Sequence, residues 1–554
     1  MGIYFVGPAF FFSLLLLFVS FVVPNHYHPW ATAYNEFAAF LALFLLGVAL
    51  AQRKLFLTRS SLFFILLSAV PLFQYAFGLV IYFGDALLAF SYIFGFSVSL
   101  VFGYELRRSW GQERVWVFGA AVMVLCSVVS VWIALKQWLG LPGGIWMANL
   151  PPGARPFANL AQPNIFSTLL CLGLAGVLYL FESRQLGKVA SSVLACFLLF
   201  GVALAQSRTF WLGAAFVVVW WAWKGRSVVL RLSVKFIVAW ITIYVFMLLA
   251  IPALSRVLEI DVQSVSERML YFHRLELWWQ LWGAVIDGPL WGYGWGQVGA
   301  AQAAISLSRP VSIVVAHSHN IVLDVLIWCG PVLGGGVVLV VATWILRIFW
   351  RVATVEGVIA GAMIGFLLIH GMLEFPLEYA FFLLPMGLMI GLIEADLGAP
   401  KIFYLSRQLQ LFVMILAVGL FSWLWREYRV IEEDFRLMRF EMTNIGTIKA
   451  SAIAPDVVLL NQLREFIRFN RTSLDENFTD ASLAEARKVS RRYPYSSTML
   501  GYAMSLALNG HVVEARDELS RLRALHGESS YRDALKRLDL MAQKYPELAS
   551  LAAP

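Results

Sequence analysis

The chain has 554 residues, of which 60% are hydrophobic, 15% aromatic and only 14% charged, with a mean hydropathy of +0.74. A soluble globule cannot hide that much apolar surface behind a polar exterior, so lipid must be the solvent for most of the chain. The net charge of +8 comes from basic residues scattered among short loops between apolar segments, which points to membrane topology and away from nucleic acid.

Helices of roughly 18 to 22 residues are predicted around apolar runs that recur along the chain, among them Phe10 to Val23, Val189 to Ala205 and Phe236 to Ala253. Each matches a hydrocarbon core of about 30 Å crossed at about 1.5 Å per residue, and each predicts a spanning helix. The first, Met1 to Val23, has no basic stretch before it and ends at Pro24 without a small-residue cleavage site, so it reads as a retained helix. Basic loops follow at Arg53, Lys54 and Arg59, then at Arg107, Arg108 and Arg114, then at Arg184 and Lys188. Three more lie at Lys224, Arg226, Arg231 and Lys235, at Arg347 and Arg351, and at Lys401 and Arg407. Each comes two apolar segments after the last, which puts the N-terminus in the cytoplasm and predicts about 13 transmembrane helices. Outside then fall Gln137 to Gln162, the turn at Arg208, the loop from about Ser255 to Asn320, and everything after Trp425.

Beyond Trp425 the pattern becomes amphipathic and charged. Ala481 to Leu522, with Ala484, Ala486, Tyr493, Pro494, Ala503, Leu508, Gly510 and Ala515, has the helix-turn-helix rhythm of tetratricopeptide-like repeats. Such a segment suits either a platform for a protein acceptor or a helical cap on the external face. The expected fold is all-α: a transmembrane domain over 1–425 with a long external loop at about 255–320, and a helical tetratricopeptide-like domain over 426–554. Cys126, Cys171, Cys196 and Cys329 all lie in apolar stretches without CxxC spacing, and read as packing residues.

Ionisable groups at helix ends near lipid are costly unless they have a task or a partner. The first such cluster is Arg155 to Asn164, where Gln162 or Asn164 also suits the plain start of a helix and Pro163 its first turn. The second is Gln206-Ser207-Arg208-Thr209, a tight turn whose arginine is suited to a bidentate grip on phosphate or, more blandly, to snorkelling. The third is Arg268, His273, Arg274 and Glu276, followed by the glycine turn Gly292 to Gly296; it places Arg268 and Arg274 near one external pocket.

The fourth is His317-Ser318-His319-Asn320, just before an apolar helix. No carboxylate or cysteine at ligand spacing accompanies the histidines, so a metal site is not expected. A neutral imidazole there suits general-base work, and Ser318 or Asn320 suits helix capping. The fifth is His370, Glu374, Pro376, Glu378 and Tyr379, with His370 and Glu374 at i and i+4 on one face, where they suit mutual pairing as well as catalysis. The sequence has no P-loop or GxSxG motif, and no GxGxxG in the strand–turn–helix context that a dinucleotide fingerprint needs. The residues by themselves lead to an external, anion-handling site.

In this order the clusters resemble the bacterial O-linked protein oligosaccharyltransferases of the pilin-glycosylating type, in the superfamily of O-antigen ligases and polymerases. The run His317-Ser318-His319-Asn320-Ile321-Val322-Leu323 marks the superfamily. His370-Gly371-Met372-Leu373-Glu374-Phe375-Pro376-Leu377-Glu378-Tyr379 and the repeat-like tail favour the protein-modifying branch. The resemblance implies a multi-pass enzyme of the bacterial inner membrane, working at its periplasmic face without metal or other cofactor. Its donor would be a glycan on undecaprenyl pyrophosphate and its acceptor the Ser or Thr hydroxyl of a periplasmic protein such as pilin, with inversion at the sugar.

Carried across, His319 becomes the base, and Arg208 with Arg268 or Arg274 holds the pyrophosphate. Arg155, Gln162, Asn164, His317, Asn320, His370, Glu374 and Tyr379 complete the candidate substrate-binding set. Phe375 stands where the family often has tyrosine, and Asp324, Trp328 and Cys329 depart from its usual residues after the histidines. The alternatives are an O-antigen ligase or glycan polymerase, neither of which needs a repeat domain, and a glycolipid flippase, which calls for polar groups at the midplane and internal symmetry.

Overall fold

A computed structural model describes residues 7–110, 112–260, 273–472 and 479–552. In chain order its longer elements are α1 (Gly7–Val22), α2 (Ala33–Leu50), β1 (Leu55–Thr58), α3 (Arg59–Ser68), α4 (Val70–Ala76), α5 (Phe83–Trp110) and α6 (Gln112–Trp138). There follow α7 (Pro163–Glu182), α8 (Lys188–Ala205), α9 (Thr209–Lys224), α10 (Val234–Val257), α11 (His273–Ile286), α12 (Val298–Ile305), α13 (Ile321–Arg351), α14 (Val355–Gly371) and α15 (Ala380–Asp396). The chain ends through β2 (Lys401–Leu405), α16 (Arg407–Met442), α17 (Asn461–Arg471), α18 (Asp480–Arg492), α19 (Ser496–Leu508), α20 (Val512–Ala542) and α21 (Ala549–Ala552). Nine helical segments among the described residues are long and apolar enough to cross a membrane, and α1 and α14 are shorter apolar helices. The protein is therefore an all-helical, multi-pass membrane protein apart from one small ribbon.

The chain divides into two compact units that interleave along the sequence. The first comprises Met1–Leu67, Tyr92–Leu270 and Ala342–Leu420. Here helices approach through small residues, since in lipid close van der Waals packing, not hydrophobic exclusion, drives helix association. Gly103 and Gly391 leave no room for a Cβ, because the first rests on the backbone of Leu388 and the second on that of Leu100, so α5 and α15 touch main chain to main chain. The ribbon belongs to this unit: β1 pairs antiparallel with β2, placing Leu55 opposite Leu405 and Phe56 opposite Tyr404. At its edge, Glu394 accepts hydrogen bonds from Thr58 Oγ1 at 3.1 Å, Ser60 Oγ at 2.6 Å and Trp344 Nε1 at 3.0 Å. Runs of four and five residues beside basic loops carry too little alternation to be read as strands.

The second unit comprises Ser68–Ser91, Tyr271–Val341 and Phe421–Pro554. Within it α13 breaks at Gly330, whose φ of 74° and ψ of 170° are non-helical, just before Pro331. Proline has no N–H, so the carbonyl four residues earlier loses its helical partner. The glycine turn supplies the replacement. Tyr293 N donates to Ile327 O at 2.9 Å and Gly294 N to Trp328 O at 3.1 Å. Gly292 has φ 77° and its Cα faces the backbone of Gly330, so a side chain at either position would separate the two strands of main chain. Gln74 completes the joint, donating to Trp328 O at 2.9 Å and accepting from Trp295 N at 2.9 Å. The glycine turn is thus the fastening of a broken helix.

In the same unit α18, α19 and α20 form successive packed helix pairs around Met499, Ala503, Leu506, Leu519 and Leu522. Ala303 of α12 is fully buried in that cluster. Arg492 Nε and Nη2 grip the carboxylate of Asp85 at 2.7 and 2.8 Å, and Tyr82 Oη donates to Glu485 at 2.8 Å.

Candidate active site

In the first unit the site begins with the strap Arg155–Gln162. Its backbone doubles back at Ala158 and Ala161, whose φ values of 54° and 60° lie in the left-handed region. Such a turn needs outside support for its polar groups. Gln137 provides it, accepting from Phe157 N at 3.1 Å and Ala158 N at 2.8 Å and donating to Ala158 O at 2.7 Å. Buried Asn159 bridges Val22 O at 2.7 Å, Trp146 O at 3.0 Å and Ala148 N at 3.0 Å. His26 reaches Asn159 O at 2.7 Å through Nε2.

The strap delivers Arg155 to the end of α8, where Nη1 donates to Ala205 O at 3.1 Å and Gln206 O at 3.2 Å. Arg155 thus satisfies orphan carbonyls at a helix C-terminus, with its charge on the favourable end of the dipole. Gln206 turns the chain with φ 49°, and Arg208 follows at the start of α9. Arg208 is solvent-exposed and makes no hydrogen bond or ion pair among the described residues. Gln162 occupies the N-cap position of α7 without a side-chain capping bond.

The strap ends in α7, and there the sequence-predicted groups converge. Asn164 Nδ2 donates to Glu374 Oε1 at 3.0 Å, and Thr168 Oγ1 meets His370 Nδ1 at 2.6 Å. His370 and Glu374 are both buried, and the backbone N–H of Glu374 donates to His370 O at 2.8 Å. Tyr379 stacks on Phe381 with ring centroids 5.1 Å apart, and Ala380 N donates to Glu36 at 2.6 Å. Burial pushes the Glu378 carboxyl up to about 7. Thr168 and Gln137 went unnoticed in the sequence; Thr168 lies one turn after Asn164, a spacing that could have flagged it.

The second unit holds the histidine loop. Asn320 Oδ1 accepts from Val322 N at 3.1 Å and Leu323 N at 3.2 Å, so it caps α13. Ser318 Oγ donates to Asn320 O at 2.9 Å and accepts from Asn320 N at 3.2 Å, Ser318 N donates to Asp324 Oδ1 at 2.8 Å, and Trp278 Nε1 donates to Ser318 O at 2.8 Å. Asp324, a departure from the family pattern, therefore ties the loop to the first turn of α13. Between these fixed points His319 has φ 59°, a left-handed conformation uncommon for a residue with a side chain. Such strain persists where the surroundings over-determine it, and it gathers at functional sites.

His317 Nδ1 is shielded from solvent, and burial pushes this imidazole down to about 4; the Asp324 carboxylate opposes the shift, while His319 and Arg492 add to it. A group held so low is a poor proton acceptor near neutral pH. Arg274, on α11 one turn before Trp278, is half-buried. Arg268 and the side chain of His273 lie outside the described residues.

Residues 156–181, which hold the strap end and α7, match the family described as protein glycosylation ligase. Residues 190–338, which hold Arg208 and the histidine loop, match the family described as O-antigen ligase. A general O-oligosaccharyltransferase of Acinetobacter baylyi is 29% identical over 524 residues, covering 93% of this chain and 92% of that protein. The chain is an O-oligosaccharyltransferase, similar to the O-antigen ligase family. As an O-oligosaccharyltransferase it is a glycosyltransferase, moving a lipid-linked glycan to protein. A second relative, a ComP-specific O-oligosaccharyltransferase of the same organism, is 25% identical over 512 residues, 90% of each chain. Residues 358–538, with His370, Glu374 and helices to α20, match the family described as virulence factor membrane-bound polymerase, C-terminal. No solved structure matches this oligosaccharyltransferase.

Proposed function

We propose that this enzyme transfers an oligosaccharide from undecaprenyl pyrophosphate to Ser or Thr hydroxyls of periplasmic proteins such as pilin, with His319 as general base. The observation that carries the reading is the left-handed turn at His319, held by the Asn320 cap, the Ser318–Asp324 bond and Trp278. His319 Nε2 or Nδ1 takes the proton of the acceptor hydroxyl as its oxygen attacks the anomeric carbon. The bond from that carbon to the phosphate oxygen breaks, the pyrophosphate leaves on its lipid, and the sugar inverts. Arg208, exposed and unengaged among the described residues, and Arg274 bind the pyrophosphate oxygens, where a planar guanidinium fits two at once. Arg268 is the further candidate for that role.

The topology of this proposal has the N-terminus in the cytoplasm of an inner-membrane protein and the tail in the periplasm. It is supported by nine helical segments of spanning length and by the shorter apolar helices α1 and α14 among the described residues. Mass spectrometry of pilin-like and other periplasmic proteins, with and without the gene, tests the function: a glycan mass on Ser or Thr that depends on the gene is expected. The match to a polymerase family over 358–538 favours a second reading, in which the acceptor is another glycan or lipid A core. A gene-dependent change confined to lipopolysaccharide would select it.

A further inference from the structure

We propose that the C-terminal helices brace the loop that carries His317 and His319, and that buried Gln302 is the positioning residue through which they do so. The inference rests on the proposed role of His319 for its catalytic consequence, though the brace itself is independent of which residue is the base.

The brace starts in the core of the tail. Ala303 of α12 is fully buried there with Ala486, Met499 and Ala503, and Val314 packs against the same cluster. Arg521 Nη1 donates to Ala303 O at 3.1 Å, and a Cβ on Gly299 would stand 3.3 Å from ring atoms of Pro494. Helix α12 is thus seated on α18 to α20 along one face. The neighbouring residue, Gln302, is also fully buried and turns its amide toward the chain that leads to the histidines.

That amide is engaged on both atoms. Its Nε2 donates to Gln280 Oε1 at 2.8 Å and to Ile313 O at 2.5 Å, and its Oε1 accepts from Val315 N at 3.2 Å. Gln280 passes the restraint on, donating to Arg309 O at 2.6 Å. Val315 is two residues before His317, and Trp278 holds Ser318 O from the other side. An extended segment without a strand partner therefore finds its polar partners in one buried side chain, as buried main-chain groups must. The tail is separately bolted down by the Arg492–Asp85 pair, which fixes α18 and so the seat of α12. The charge of Arg492 also helps to keep His317 neutral, which ties the tail to the loop electrostatically as well.

A catalytic group has to be held within about 0.5 Å of its working position, and a misplacement of about 1 Å costs about 100-fold in rate. The tail therefore contributes to turnover even if it never touches acceptor. The test uses full-length enzyme in nanodiscs with a lipid-pyrophosphate donor and a protein acceptor. Gln302→Leu is expected to lower kcat about 10- to 100-fold, with KM for both substrates within about twofold of wild type. Hydrogen–deuterium exchange of the 313–320 segment should rise in the same variant. Arg521→Gln, at the half-exposed seam, should do both to a smaller degree while the protein stays folded. Unchanged exchange in both variants, or a raised acceptor KM at normal kcat, overturns the brace and leaves the tail as an acceptor platform. Exchange that rises while kcat stays normal supports the brace and removes the base from the loop, which separates this inference from the functional reading.

Discussion

Asn164 donates to Glu374 across 3.0 Å, and one turn along each partner Thr168 meets His370 at 2.6 Å. Two pairs with i,i+4 spacing, one on α7 and one beginning on α14, thus face each other in antiparallel register. The register couples the protein glycosylation ligase segment to the turn after α14, and it makes a neutral donor at position 164 necessary opposite a buried carboxyl.

Asn164→Asp should therefore lower transfer at least about 10-fold, since it sets a second carboxyl against Glu374 in a site that screens charge poorly. Adding Glu374→Gln should recover much of the loss, because an amide can donate where the carboxylate repels. A double-mutant cycle on transfer rates measures the coupling, and additive effects would show that the two side chains act apart.

His319→Ala should lower single-turnover transfer about 10²- to 10⁴-fold, the usual contribution of one base. The left-handed φ of 59° makes alanine an impure test, because it adds backbone strain to loss of the imidazole. Asparagine tolerates that conformation, so His319→Asn should fold with normal melting temperature and still be as inactive as alanine. His317→Ala should be milder. Near-normal transfer by His319→Asn would move the base to another residue.

Arg208→Ala should raise the donor concentration needed for half-maximal rate about 10-fold or more and leave acceptor KM unchanged, with Arg208→Lys intermediate because it lacks the bidentate fork. Arg274→Ala should act in the same direction. Steady-state kinetics against lipid-linked donor decide this, and full activity of Arg208→Ala at limiting donor removes that residue from the site.

His317 is held near 4 in the fold against an ordinary value of 6.5, so its neutral form is the one the fold favours. Stability from this source is present above about 6.5 and is lost as pH falls toward 4, because the unfolded chain binds the proton first. Melting temperature should drop across that window, and His317→Asn should flatten the drop. A His317 imidazole whose NMR titration midpoint lies near 6.5 contradicts the burial described here.

Cysteine labelling in spheroplasts tests the topology. Gly510 is unsuited as a reporter, since its φ of 82° strains any side chain, whereas exposed Val513 on α20 accepts one. A Val513→Cys protein should react with an impermeant maleimide before lysis; protection until lysis would place the tail in the cytoplasm.

The spans, the basic loops and the helix start at Asn320 were legible in the sequence, because hydropathy, charge bias and capping depend on neighbours within a few residues. So was the family, through short runs such as His317 to Leu323. The pairing of Asn164 with Glu374 across 210 positions was not, nor was the capture of Ile313 and Val315 by Gln302, nor the repair of the α13 break by the glycine turn. In each case a polar group exposed by a turn or a proline is satisfied by whichever side chain packing brings near. Local sequence says that such a group needs a partner, and only the tertiary structure decides which one it gets.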